Sequence, residues 1–146
     1  MGLGTIPKTA SLPQAIHAIW AANAALAAAV PADRFITGRV PGSEEMPYVR
    51  LELESGGNIQ RSRQSQYQKQ VCTFHVWTDT FDAGDAIVPA IRAAFANEEF
   101  DWGTGGVTDF RQEGTAGTSQ VSTPEYKAWE TVVTFAASTW ETRVDV

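Results

Sequence analysis

Cys72 is the only cysteine of the chain and His75 is one of its two histidines, and they stand three residues apart in "QVCTFHVWTD". A thiolate beside an imidazole is a nucleophile with its base, and the same two side chains are also common metal ligands. Either chemistry requires them to meet. The segment is dense in β-branched and aromatic residues and reads as a strand, where side chains alternate between faces. An odd spacing therefore sends Cys72 to one face with Phe74 and Val76, and His75 to the other with Val71, Thr73 and Trp77. They do not serve each other, and Cys72 reads as a small core hydrophobe.

Other chemistry fares no better. His17 lies on a helical stretch, and neither histidine sits in a His-Glu-x-x-His spacing, so no metal motif is present. The runs "SEEMP" and "NEEF" read as solvated turns. "WGTGGVTD" precedes a strand and lacks the Lys-Ser or Lys-Thr of a phosphate loop, and no Gly-x-Ser-x-Gly elbow occurs. The expectation is a protein with no catalytic residues, no cofactor and no metal.

The elements that would position these residues follow from periodicity. Ser11 and Gln14 form a capping box with Pro13 in the first turn, and Ile16, Ile19, Trp20, Leu26 and Val30 make one helical stripe that ends at Pro31. "RFITG" is a short strand candidate. "PYVRLELES" alternates as a half-buried strand, followed by a turn at "SGGN" and a polar stretch containing Arg61, Arg63, Tyr67 and Lys69 but no acidic residue. After the Cys72 strand, "TFDAGDAIVPAIRAAFANEEF" predicts a second helix, either starting near Asp85 or kinked by Pro89. "VTDFRQEG" is a short strand, and "EYKAWETVVTFAASTWETRV", residues 125–144, is a long one with Trp129, Thr131, Val133, Phe135 and Ala137 sharing a face. The order is α-β-β-α-β-β. It predicts an α+β fold, an antiparallel sheet of about four strands with two helices packed on one face.

At 146 residues the chain has the size of a single domain, taken as residues 1–146 with an N-terminal extension at 1–10, a hairpin arm at 56–69 and a mobile loop at 114–124. With 43% hydrophobic and 19% charged residues it has the composition of an ordinary folded domain. A net charge of -6 argues against a surface built to grip nucleic acid. "MGLGTIPKTASLPQ" lacks the apolar core of a signal peptide, the apolar runs are too short to span a bilayer, and one cysteine gives no internal disulfide. The expectation is a soluble chain made in the cytoplasm, with no membrane partner. The aromatic load of Trp77, Trp102, Tyr126, Trp129 and Trp140, spread over strands and loops, exceeds what one core beneath one small sheet takes up. It points to a subunit interface, or else to loops that cover the second face.

The order of segments resembles a family of tailed-bacteriophage proteins, the tail terminator and tail-completion proteins, with related minor tail and neck components. An alanine-rich helix leads into "GRVPGSEEMPYVRLELES", then come the strand "FHVWTDT", the helix "GDAIVPAIRAAF" and the last strand "WETVVTFAAST", together spanning roughly residues 12–140. The resemblance implies a structural protein of the virion tail or neck, assembled in the host cytoplasm. It implies a closed ring, as a hexamer, capping the tail tube and joining it to the head, with the tail tube protein and a head or neck connector as partners and DNA passing through the lumen without sequence-specific binding. Arg61, Arg63, Tyr67, His75, Trp77 and Trp129 are the candidate partner contacts, with loop 114–124. Two alternatives stand beside it: a neck adaptor on the portal side, and a small dimeric α+β ligand-binding domain with His75 and Trp77 lining a pocket.

Overall fold

The computed structural model describes residues 12–37, 46–61, 65–102, 106–122 and 127–142. Their elements are, in chain order, α1 (Leu12–Ala22), α2 (Ala24–Ala29), β1 (Phe35–Thr37), β2 (Tyr48–Arg61), β3 (Ser65–Thr78), α3 (Phe81–Phe95), β4 (Glu99–Trp102), β5 (Gly106–Ser122) and β6 (Lys127–Thr142). The strands form one sheet in the order β1-β2-β3-β6-β5-β4, with every pairing antiparallel except β1 with β2.

The mixed α+β class and the packing of helices on the sheet agree with the sequence reading, but the counts do not. Among the described residues there are six strands instead of about four and three α-helices instead of two. Of the short strands, β1 at Phe35–Thr37 falls within the candidate "RFITG", whereas β4, four residues at Glu99–Trp102, is too short for alternation to reveal. The additional helix arises because Asn23 breaks the expected 12–30 helix. Its side chain accepts a hydrogen bond from the Leu26 backbone N–H at 3.1 Å and so caps α2 afresh. The Ser11 half of the predicted capping box lies outside the described residues.

All helices lie on one face of the sheet. Trp20, Phe35, Phe74, Phe95, Phe110 and Phe135 form a continuous aromatic cluster between the layers. The Trp20 indole N–H donates to the Val30 carbonyl at 2.9 Å, which fastens the end of α2 back onto α1. α3 starts earlier than Asp85, at Phe81, because Thr80 caps it by accepting from the Ala83 N–H. Pro89 stays inside this helix on its exposed side, while Ile87, Val88, Ile91, Ala94 and Phe95 hold the buried stripe on the core. Gly84 sits where α3 crosses β5 and β6 most closely: a Cβ there would stand 2.5 Å from Thr131 Oγ1.

The segment read as a loop over 114–124 is strand as far as Ser122. Gly114, at φ +68°, opens a bulge between Glu113 and Gly117, and beyond it β5 resumes pairing with β6. Residues 123 and 124 lie outside the described residues. The polar stretch after "SGGN" continues β2 and β3 as a paired ribbon to Arg61 and Gln66.

Candidate partner-contacting face

The alternation that buries Cys72, Phe74, Val76 and Thr78 under the helices turns Val71, Thr73, His75 and Trp77 to the opposite face of β3. Cross-strand register then fixes their neighbours. His75 lies between Arg50 of β2 and Val132 of β6, and Trp77 lies between Tyr48 and Glu130. Among the described residues no helix packs on this second face, although its central side chains are half-buried by lateral contact with one another.

His75 occupies the middle. Its Nδ1 is 3.4 Å from Glu130 Oε2 and its Nε2 is 3.7 Å from Glu52 Oε2, so the imidazole is flanked by a carboxylate on each side. Both contacts are within ion-pair distance but outside hydrogen-bond geometry, and both ring nitrogens are buried without a hydrogen-bond partner. Arg50 donates to the same Glu52 carboxylate at 3.0 Å. At the end of the row Tyr48 and Trp77 stack with ring centroids 6.0 Å apart and planes 19° apart, and the Trp77 indole N–H is a buried donor without an acceptor. Further along the strands Lys69, Asp109, Arg111 and Trp140 line a polar depression.

Cys72 is fully buried on the helix side, and burial alone pushes its thiol far above the ordinary range. The two faces therefore separate Cys72 from His75 as strand parity required. Among the described residues no group of three or more His, Cys, Asp or Glu side chains is arranged to hold a metal.

Of the predicted contacts, the structure unites only His75 and Trp77. Trp129 belongs to the other face, where it packs edge-to-face on Phe81 at 5.4 Å. Arg61 and Tyr67 are in the ribbon, in register with Gln66 and Gln60 respectively, and Arg63 lies outside the described residues. Glu52 and Glu130 were not singled out by sequence. Their alternation was visible, but their convergence on His75 depends on which strands become neighbours.

These features define a two-layer α+β domain that buries one sheet face internally and keeps an aromatic and charged row on the other, a form suited to assembly. The chain matches the family model of the tail completion protein gp17 over residues 14–139, and it belongs to that family. Membership makes it a component of the virion tail or neck. A chain in the solved structure of the virion of a native gene transfer agent particle has the same fold. It superposes with a TM-score of 0.63 at 17% identity, over 88% of this chain and 95% of that one. No curated protein matches the sequence. None of the helices described is long and apolar enough to cross a membrane.

Proposed function

We propose that this protein acts structurally, without catalysis, as a ring that closes the end of the phage tail tube and joins it to the head or neck. Copies of the chain, six in the closed form, would contact one another, the tail tube protein below and a connector above, with DNA passing through the lumen. Family membership over residues 14–139 carries the proposal. The second sheet face supports it. A half-buried row of Tyr48, His75, Trp77, Glu52 and Glu130 combines aromatic anchors with charge, the mixture that specific protein contacts use. The polar stretch containing Arg61, Arg63 and Tyr67 would supply a basic contact on a chain of net negative charge. That acidity suits a conduit, because a lumen of net negative charge lets DNA slide without adhering.

Particles assembled without this protein test the reading by negative-stain electron microscopy. Heads and tails should accumulate unjoined, with tubes of irregular length. Joined particles with tubes of normal length would overturn it.

A further inference from the structure

The six strands are unequal, and the inequality leaves two edges open among the described residues. β1 covers β2 only along Val49–Leu51, so the outer edge of β2 from Leu53 to Arg61 has no neighbouring strand among the described residues. On the opposite side β4 covers β5 only along Gly106–Asp109, and the Asn97 and Glu98 backbone groups take up Phe110. The outer edge of β5 from Gln112 to Ser122 is likewise unpaired among the described residues. Open edges are templates for pairing, and native chains protect them with lysine or proline. Neither edge contains either residue.

We propose that the β5 edge of one copy pairs with the β2 edge of the next, extending one sheet from subunit to subunit. The proposal rests on the ring reading and supplies its lateral contact. Three observations select a second copy as the occupant. First, the edges are similar in length, nine residues against eleven: Leu53–Arg61 lies level with Cys72–Gln66 of β3, and Gln112–Ser122 lies level with Phe135–Lys127 of β6. Second, their directions agree. β2, β3, β6 and β5 alternate strictly, so placing the next β2 beside β5 continues an antiparallel sheet with all helices on one side. Third, the edges lie at opposite ends of the sheet, so joining them staggers each copy along the strands by roughly 20 Å, at about 3.4 Å per residue. A sheet that closes on itself requires such a stagger, with strands oblique to the axis. With Arg61 level with Gln112, Leu53 lies opposite Gln120, short of β1 at Leu51 and of β4 at Asp109, so neither blocks that stretch of pairing. Each edge contains a bulge, at Ser55/Ile59 and at Glu113/Gly117, and bulges supply the local bend and twist of a curved sheet. The joint is heterologous, head to tail, the kind of contact that closes a ring when its rotation completes a circle.

Engineered disulfides test the pairing. Aligning Arg61 with Gln112 puts Glu54 opposite Ser119. Chains carrying Ser119→Cys with Glu52→Cys, Glu54→Cys or Gly56→Cys cover that register and one step to either side. The buried Cys72 is left in place, with the unmodified chain as control. The chains are assembled into particles, oxidised and resolved under non-reducing conditions, and native mass spectrometry of the released complex reports copy number. One of the three should give a covalent ladder of dimers, trimers and higher species, while each single-cysteine chain stays monomeric. A multimeric complex without a ladder in any register would overturn the edge pairing and leave the ring standing. A dimer from Ser119→Cys alone would replace it with a symmetric β5 contact. A single copy in the released complex would remove the ring reading itself.

Discussion

At the scale of single residues, burial decides what Cys72 does. Its thiol is enclosed beneath the helices, and low-dielectric surroundings disfavour the thiolate, so its folded pKa lies above its unfolded value. The unfolded chain then releases this proton at lower pH than the folded one. Its contribution to stability is intact below the ordinary thiol range and declines as pH rises above it. Native protein at mildly alkaline pH should resist a thiol-specific reagent and react only at the rate of unfolding, which a colorimetric thiol assay with and without denaturant measures. Fast labelling of the native protein would contradict the burial. Cys72→Ala removes a small core group and should cost about 1 kcal/mol in a denaturant titration. His75 differs in kind, because it lies on the uncovered face between two carboxylates. His75→Ala should therefore leave the core, and the denaturation midpoint, nearly unchanged.

At the scale of elements, close approach and capping set the stability. α3 can lie on β5 and β6 only because Gly84 has no side chain, with Thr131 Oγ1 and Thr78 Oγ1 2.5 and 3.0 Å from the position a Cβ would take. Thr131 is held from the other side by a 2.8 Å hydrogen bond with Thr118, so it has little room to move. Gly84→Ala should destabilise by about 1–3 kcal/mol through overpacking, although alanine favours helix, and a thermal melt gives the sign. Asn23→Ala should cost about 1 kcal/mol by removing the α2 cap at Leu26. Elements of this kind divide into those that sequence reveals and those that it does not. β2, β3 and β6 were legible because one face is buried, so polarity alternates along them. α3 was legible from its stripe, despite Pro89. β1 was legible only as the short candidate "RFITG", β4 exists through pairing with a neighbour and not through its own pattern, and Asn23 was read as one polar residue within a continuous helix. The bulge at Gly114 sets the four steps from Glu113 to Gly117 against two on β6 and interrupts the alternation, so polar β5 reads as a strand followed by a loop. The same limit applies to the site: strand parity separated Cys72 from His75, while the meeting of Glu52, His75 and Glu130 needed a strand order that the sequence does not state.

At the scale of the whole molecule, a fold with one internal core leaves its remaining surfaces to act between chains. The helix layer completes one side of the sheet, the row around His75 and Trp77 lies on the other, and the β2–β3 ribbon extends the sheet toward Arg61. Residues that meet partners should be separable from residues that hold the fold, since they draw on different neighbours. Reversing charge with Arg61→Glu and Arg63→Glu should leave the circular dichroism spectrum and thermal midpoint unchanged, because both stand in a polar, glutamine-rich stretch of the sequence, where substitutions usually alter stability by less than about 0.5 kcal/mol. Losing about 1–2 kcal/mol at a partner contact weakens one site roughly 5- to 30-fold. In a ring the loss recurs at every copy, so a small deficit per chain becomes a large one for the assembly. The double variant should therefore fold normally yet give far fewer joined particles, counted by electron microscopy and by infectious titre. A normal particle yield would exclude the Arg61 and Arg63 side chains from the contact and leave the proposed backbone pairing of the sheet edges and the His75 face to hold a ring.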